Sequence, residues 1–226
     1  MPEIEAPSST PRDAPRWSDR SANWPGAKRS QFWRVGRFVW HVQRSGTGPK
    51  VLFLHGTGAA SHSWAPLIAE IDDAFETIRI DLPGHGFTQS PRGFQPSLPN
   101  ISKAVAELCS DMDLLPDIIV GHSAGAAIAI RLATKTQIKP RLLISVNGAL
   151  QPFEGMMKLI APATAKLAVF GGIAARMVSR NSTSDARVRR LVKGVGSDPD
   201  QIDTTCYSAL LRTPGHVQGA LKMMAH

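Results

Sequence analysis

A chain of 226 residues, 42% apolar and 19% charged, is long enough for one domain with a large core and room for an inserted sub-domain. Lys and Arg number 26 against 18 Asp and Glu, giving a formal charge of +8 and a sequence pI near 10.0. That balance favours anionic partners such as a membrane surface or a carboxylate-bearing ligand, but the basic residues are scattered without a dense run interleaved with aromatics, which argues against nucleic acid.

A generally basic surface with no dedicated partner is the simpler account. The opening "MPEIEAPSSTPRDAPRW" has no apolar stretch of the kind a secretory signal needs. Cys109 and Cys206 form no CxxC or CxxxC spacing, so a reduced compartment fits and Cys109 reads as a core thiol. The longest charge-free runs fall short of the ~18 apolar residues of a spanning helix. The expectation is a soluble, cytoplasmic or membrane-peripheral protein.

Residues 1 to about 30 are rich in Pro, Ser, Arg and Asp and read as an extended or disordered arm, with Trp17 and Trp24 able to pin it to the body or to a partner. "FWRVGRFVWHVQ", Phe32 to Gln43, alternates around Gly36 as a hairpin does. Strand and helix patterns then alternate. Strands are expected at Lys50–His55, Phe75–Asp81, "DIIVGH" and Arg141–Asn147, and helices at Ser63–Ile71 and Ile101–Leu115. The second helix puts Ile101, Ala104, Val105, Leu108, Met112 and Leu115 on one face. "AGAAIAIRLATK" reads as a helix with almost no bulk on its inner side. Continuously apolar strands in repeated βα units predict an α/β domain over residues 31–150, its sheet mostly parallel and covered by helices on both faces. From residue 151 to 226 the pattern is helical and Met-rich and no strand returns, which predicts a helical cap. The Met stripe there suits either core packing or an adaptable apolar pocket.

"GHSAG", Gly121 to Gly125, fits G-x-S-x-G between an apolar strand and a small-residue helix. That is the setting of a nucleophile elbow, where bulky flanking side chains would clash and the helix N-terminus favours developing negative charge. The competing reading is a tight turn with a passive serine in a packing seam. "HGTGA", His55 to Ala59, follows the first parallel strand. It could offer the Thr57 N–H, with the Ala124 N–H, as an oxyanion hole; otherwise it is only a flexible loop. In "DLPGHGFTQS", Pro83, Gly84 and Gly86 make a tight loop, and Asp81 and His85 are expected to brace it rather than to catalyse.

These motifs in this order resemble the α/β-hydrolase superfamily over roughly residues 32 to 226. Within it, "GTGAASHSW", "DLPGHGFT", "GHSAGAAIAIRLA", "SVNGALQPFEG" and "HVQGALKMMA" resemble the magnesium-chelatase accessory α/β-hydrolases of bacteriochlorophyll biosynthesis. The resemblance implies a photosynthetic bacterium, a bulky apolar or tetrapyrrole-like ligand, a magnesium-chelatase partner, and a place in the cytoplasm or peripheral to the photosynthetic membrane. No cofactor motif or metal-ligand cluster stands out; His55, His62, His85 and His122 are expected in loops that the fold explains.

A serine nucleophile needs a base and an acid to orient it, in the order serine, acid, histidine in this superfamily. After Ser123 only His216 and His226 remain, with the acids Glu154, Asp185, Asp198, Asp200 and Asp203, all in the expected cap. The alternative acid position at the end of "RLLISVN" holds the neutral Asn147. The expectation is a sequence that stops before its last two strands, short by about 60 residues for this plan. Three functions stay open: a serine hydrolase of ester-type bonds when full length, a non-catalytic porphyrin-binding or chelatase-docking accessory, and an unrelated carboxylesterase.

Overall fold

The hairpin is built as its alternation dictates, with β1 at Ser30–Val35 and β2 at Phe38–Ser45, antiparallel around Gly36 at φ +55°. A computed structural model describes residue 17 and residues 21–150, 185–194, 198, 200, 202–212 and 214–225. After the hairpin come β3 (Lys50–Leu54), a 3-10 turn (Ser61–Trp64), α1 (Ala65–Ile71) and β4 (Glu76–Ile80). Next are α2 (Leu98–Asp111), β5 (Ile118–His122), α3 (Ala124–Lys135) and β6 (Leu142–Val146). The remaining described helices are α4 (Asp185–Gly194), α5 (Thr204–Leu211) and α6 (Pro214–Met224). The long Met-rich stretch that begins the expected cap lies outside the described residues.

The six strands form one sheet in the order β1-β2-β4-β3-β5-β6, in which β3, β4, β5 and β6 run parallel. Alternate residues of each strand feed opposite layers. Leu52, Leu54, Ile78, Ile80 and Ile119 pack under α2 and α3 with Ile101, Leu108, Ile128 and Leu132. Val51, Phe53 and Val120 pack on the other face against Trp64 and Ile68. Cys109 is the core thiol its spacing suggested, and burial pushes its pKa up to about 12. β6 is the outer strand among the described residues, with Leu142, Ile144 and Val146 exposed.

The α2 stripe differs from its expected form at one end. Ile101, Ala104, Val105 and Leu108 are buried and Met112 packs on the core, but Leu115 is 73% exposed. The helix ends at Asp111 and Asp113 turns left-handed at φ +49°, so the chain reverses and Leu114 takes the inward place instead. His122 is also not in a loop; it closes β5.

Residues 1–16 and 18–20 of the expected arm lie outside the described residues, while Trp17 and Trp24 themselves pack on the body. Trp24 is buried, its ring edge-on to Phe87 and 4.9 Å from His62, and Trp17 packs against Phe32, His41 and Phe87. Among the described residues no helix is long and apolar enough to cross a membrane.

Candidate active site

Strand order decides where a site can form. β4 lies on one side of β3 and β5 on the other, so the chain leaves the carboxyl ends of β3 and β5 toward opposite ends of the sheet, the position at which open α/β sheets bind ligands. The loop after β3 is "HGTGAAS" and the one after β5 carries Ser123.

Ser123 sits at the junction of β5 and α3 with φ +52° and ψ −119°, a conformation that L-residues rarely adopt. Three backbone hydrogen bonds hold it there. Its N–H donates to the Val146 carbonyl at 3.1 Å, and its own carbonyl accepts from Ala126 and Ala149. The flanking glycines are needed for space. A Cβ on Gly121 would lie 2.5 Å from the Ala126 backbone, and one on Gly125 would lie 2.2 Å from the Leu54 carbonyl oxygen. Gly56 brings the β3 loop against the serine, for a Cβ there would stand 3.0 Å from Ser123 Cβ. Ala124 is the first residue of α3, so its N–H has no acceptor within the helix. Thr57 follows Gly56 directly, and its hydroxyl donates to Met223 Sδ at 3.4 Å. The structure therefore brings the loop of Thr57, the N-terminus at Ala124 and Ser123 to one place.

Below these loops lies a set of buried polar groups. Asp81 Oδ1 accepts the Ser61 N–H, and Oδ2 accepts the Phe87 N–H and faces His41 Nδ1 at 2.8 Å. Burial alone would raise the Asp81 pKa. The neighbouring His41 and these hydrogen bonds outweigh burial and hold it far below the usual carboxylate range. His55 accepts the Leu82 N–H on Nε2 and therefore carries its proton on Nδ1, which donates to the Gly56 carbonyl. Burial lowers its pKa to about 3. His85 donates from Nδ1 to Pro83 O, and burial lowers its pKa to about 4. Asp81 and His85 brace the loop as their positions suggested. His62 is not explained by hydrogen bonding: it is buried, and neither ring nitrogen has a hydrogen-bond partner among the described residues.

Of the acids and histidines after Ser123, those described are occupied elsewhere. Asp203 caps α5 by accepting the Thr205 N–H, Asp200 pairs with Arg189, and Asp198 accepts the Asp200 N–H. Glu154 and His226 lie outside the described residues, as does the side chain of Asp185. His216, on α6, is 3% exposed; its Nδ1 accepts the Gly86 N–H at 3.1 Å, so its Nε2–H donates to the Gly58 carbonyl at 3.2 Å. With both nitrogens committed it is not poised to take the Ser123 proton. Neither His41 nor this placement of His216 was found from the sequence. His41 shows there only as a polar residue in an apolar strand, and the partners of His216 are backbone groups 130 and 158 positions away. Among the described residues no group of three or more His, Cys, Asp or Glu side chains could hold a metal ion. A groove of about 710 Å³ between α2 and α3 takes none of its walls from the loops of Thr57, Ser123 or His216.

Comparison with known proteins agrees with this layout. The model of the alpha/beta hydrolase family matches residues 51–223. The chain is 36% identical over 206 residues to the magnesium-chelatase 30 kDa subunit of Rhodobacter capsulatus, a match that takes in 90% of this chain and 72% of that protein. It is 31% identical over 114 residues to 2-(acetamidomethylene)succinate hydrolase of Mesorhizobium japonicum, covering 50% of this chain and 40% of that one. A solved alpha/beta hydrolase fold protein from Burkholderia ambifaria superposes with a TM-score of 0.66 at 18% identity, covering 86% of this chain and 69% of that one.

Proposed function

The chain belongs to the alpha/beta hydrolase family, and on that premise we propose that Ser123 is the nucleophile of an ester-type hydrolysis. A general base outside the described residues takes the Ser123 hydroxyl proton as Oγ attacks the substrate carbonyl, the Thr57 and Ala124 N–H groups stabilise the oxyanion, and its collapse expels the protonated alcohol to leave an acyl-enzyme that water hydrolyses. The single observation that carries this reading is the strained backbone of Ser123, held at φ +52° by three hydrogen bonds and faced by Gly56. Strain of that kind costs on the order of 1–3 kcal/mol, and a passive packing residue would have no need of it. The likeness to a magnesium-chelatase subunit supports a bulky, tetrapyrrole-like substrate and a chelatase partner, and the +8 charge suits a porphyrin carboxylate. Residues 151–226, whose sequence pattern suits a helical cap, would then shape specificity.

A fluorophosphonate probe tests the nucleophile. Ser123 of the parent protein is expected to be phosphonylated, and the Ser123→Ala variant not. Parent protein that stays unlabelled while binding protoporphyrin as tightly as Ser123→Ala would sink the hydrolase reading. It would favour the accessory role, for which the commitment of both His216 nitrogens is the supporting observation.

A further inference from the structure

α6 meets the two loops with one face. His216, Gly219 and Met223 recur at the i, i+3, i+7 spacing that aligns side chains along a helix. His216 spans from the Gly86 N–H to the Gly58 carbonyl. Gly219 lies so close to Gly84 that a Cβ on it would stand 2.0 Å from the Gly84 oxygen. Met223 Sδ accepts the Thr57 hydroxyl at 3.4 Å. The two loops touched are the one after β3, which carries the proposed oxyanion donor, and the one after β4, which Asp81 ties to it through Ser61 and Phe87.

The geometry points to His216 as a positioning residue that locks the Thr57 loop to the Gly84–Gly86 loop, with α6 as the lever that carries it. The inference rests on the reading of Thr57 as an oxyanion donor and deepens it. A loop rich in glycine, with Gly58 at φ +77°, has several backbone conformations open to it. The hydrogen bond from His216 Nε2 fixes the carbonyl one residue beyond Thr57, so the preceding N–H groups keep their direction. The ring does this only while neutral, because Nδ1 must accept and Nε2 must donate. The groups around it favour that state: burial lowers the His216 pKa most, the nearby His85 and then His55 lower it further, and together these outweigh the hydrogen bond to Gly58 and the charge of Asp81, which raise it. His85 stands edge-on to it with ring centroids 5.3 Å apart. Movement of α6, whether by a ligand or a partner, would thereby reach the oxyanion donor without touching Ser123.

Hydrogen exchange read by mass spectrometry, together with the rate of fluorophosphonate labelling, tests this on the full chain. In His216→Phe, exchange over residues 56–60 and 84–88 is expected to rise roughly tenfold, the loss of about one buried hydrogen bond, while β3 and β5 stay protected. Labelling of Ser123 slows in step. His216→Gln, whose amide can both accept and donate, restores protection to within about threefold of the parent. Gly219→Ala, which leaves His216 intact but pushes α6 off Gly84, reproduces the loss. Exchange unchanged in both loops overturns the assignment, and so does exchange that rises equally in β3 and β5, the mark of a residue that only holds the fold together. A parent protein whose Ser123 never reacts overturns the nucleophile reading alone, since the exchange pattern still decides the coupling.

Discussion

Ser123 and its neighbours show how few atoms separate an elbow from a clash. Gly125 packs its α-carbon where a methyl group would stand 2.2 Å from the Leu54 carbonyl and 2.8 Å from that of His55, both backbone atoms in a buried strand end. Neither can swing aside as a flexible side chain would. Gly125→Ala is therefore expected to cost about 2–3 kcal/mol, at the upper end of overpacking penalties. Gly36→Ala is a useful contrast: among the described residues nothing lies within 4 Å of the added methyl, and its positive φ is what resists, at about 1 kcal/mol. Urea unfolding of the two variants side by side checks the difference. Equal midpoints would mean that the β5–α3 junction yields more readily than its contacts imply.

At the scale of elements, periodicity carried most of the reading. The hairpin, the four parallel strands and the two helices packed on the Leu52 face all lie within a few residues of where the apolar pattern put them. The pattern failed at Leu115, because a non-glycine residue at φ +49° is invisible to a count of hydrophobic spacings. It also could not link α6 to the β3 loop, since backbone carbonyls and N–H groups carry no sequence signal. The N-terminal segment was legible only through its tryptophans. Trp24 is 5% exposed, packs on Phe87 and lies beside His62, so it ties the arm to both loops that frame the candidate site. Trp24→Ala is expected to lose about 3–4 kcal/mol, the cost of emptying a buried aromatic site. Thermal unfolding followed by tryptophan fluorescence of the remaining residues reads it. A shift of less than about 3 °C, near 1 kcal/mol for a chain of this size, would mean that the arm only rests on the surface.

Across the whole molecule the loops that frame Ser123 stand on neutral histidines and one ionised aspartate, and this gives stability a pH dependence with a definite sign. His55, His62 and His85 are buried, and burial lowers their pKa values from 6.5 to about 3, 4 and 4. Unfolded, each titrates near 6.5, so between that pH and about 4 the unfolded chain binds protons that the folded one refuses. Stability is then complete above about pH 6.5 and falls as the pH drops. Asp81, also held below its unfolded value, adds a further loss once the pH falls below about 4. Its folded state keeps the charge that Ser61 and Phe87 need. A tenfold change in proton affinity is worth about 1.4 kcal/mol, so His62 alone represents on the order of 3 kcal/mol, against a total of about 5–15 kcal/mol for a domain. Three such groups together approach that total, so acid unfolding is expected between about pH 6 and 4, before any of them titrates in place. A series of melting curves should stay level from pH 8 to 7 and fall steeply below 6. A curve still level at pH 4.5 would mean that these rings reach water in the folded protein, and the support they lend the loops around Ser123 would have to be given up with it.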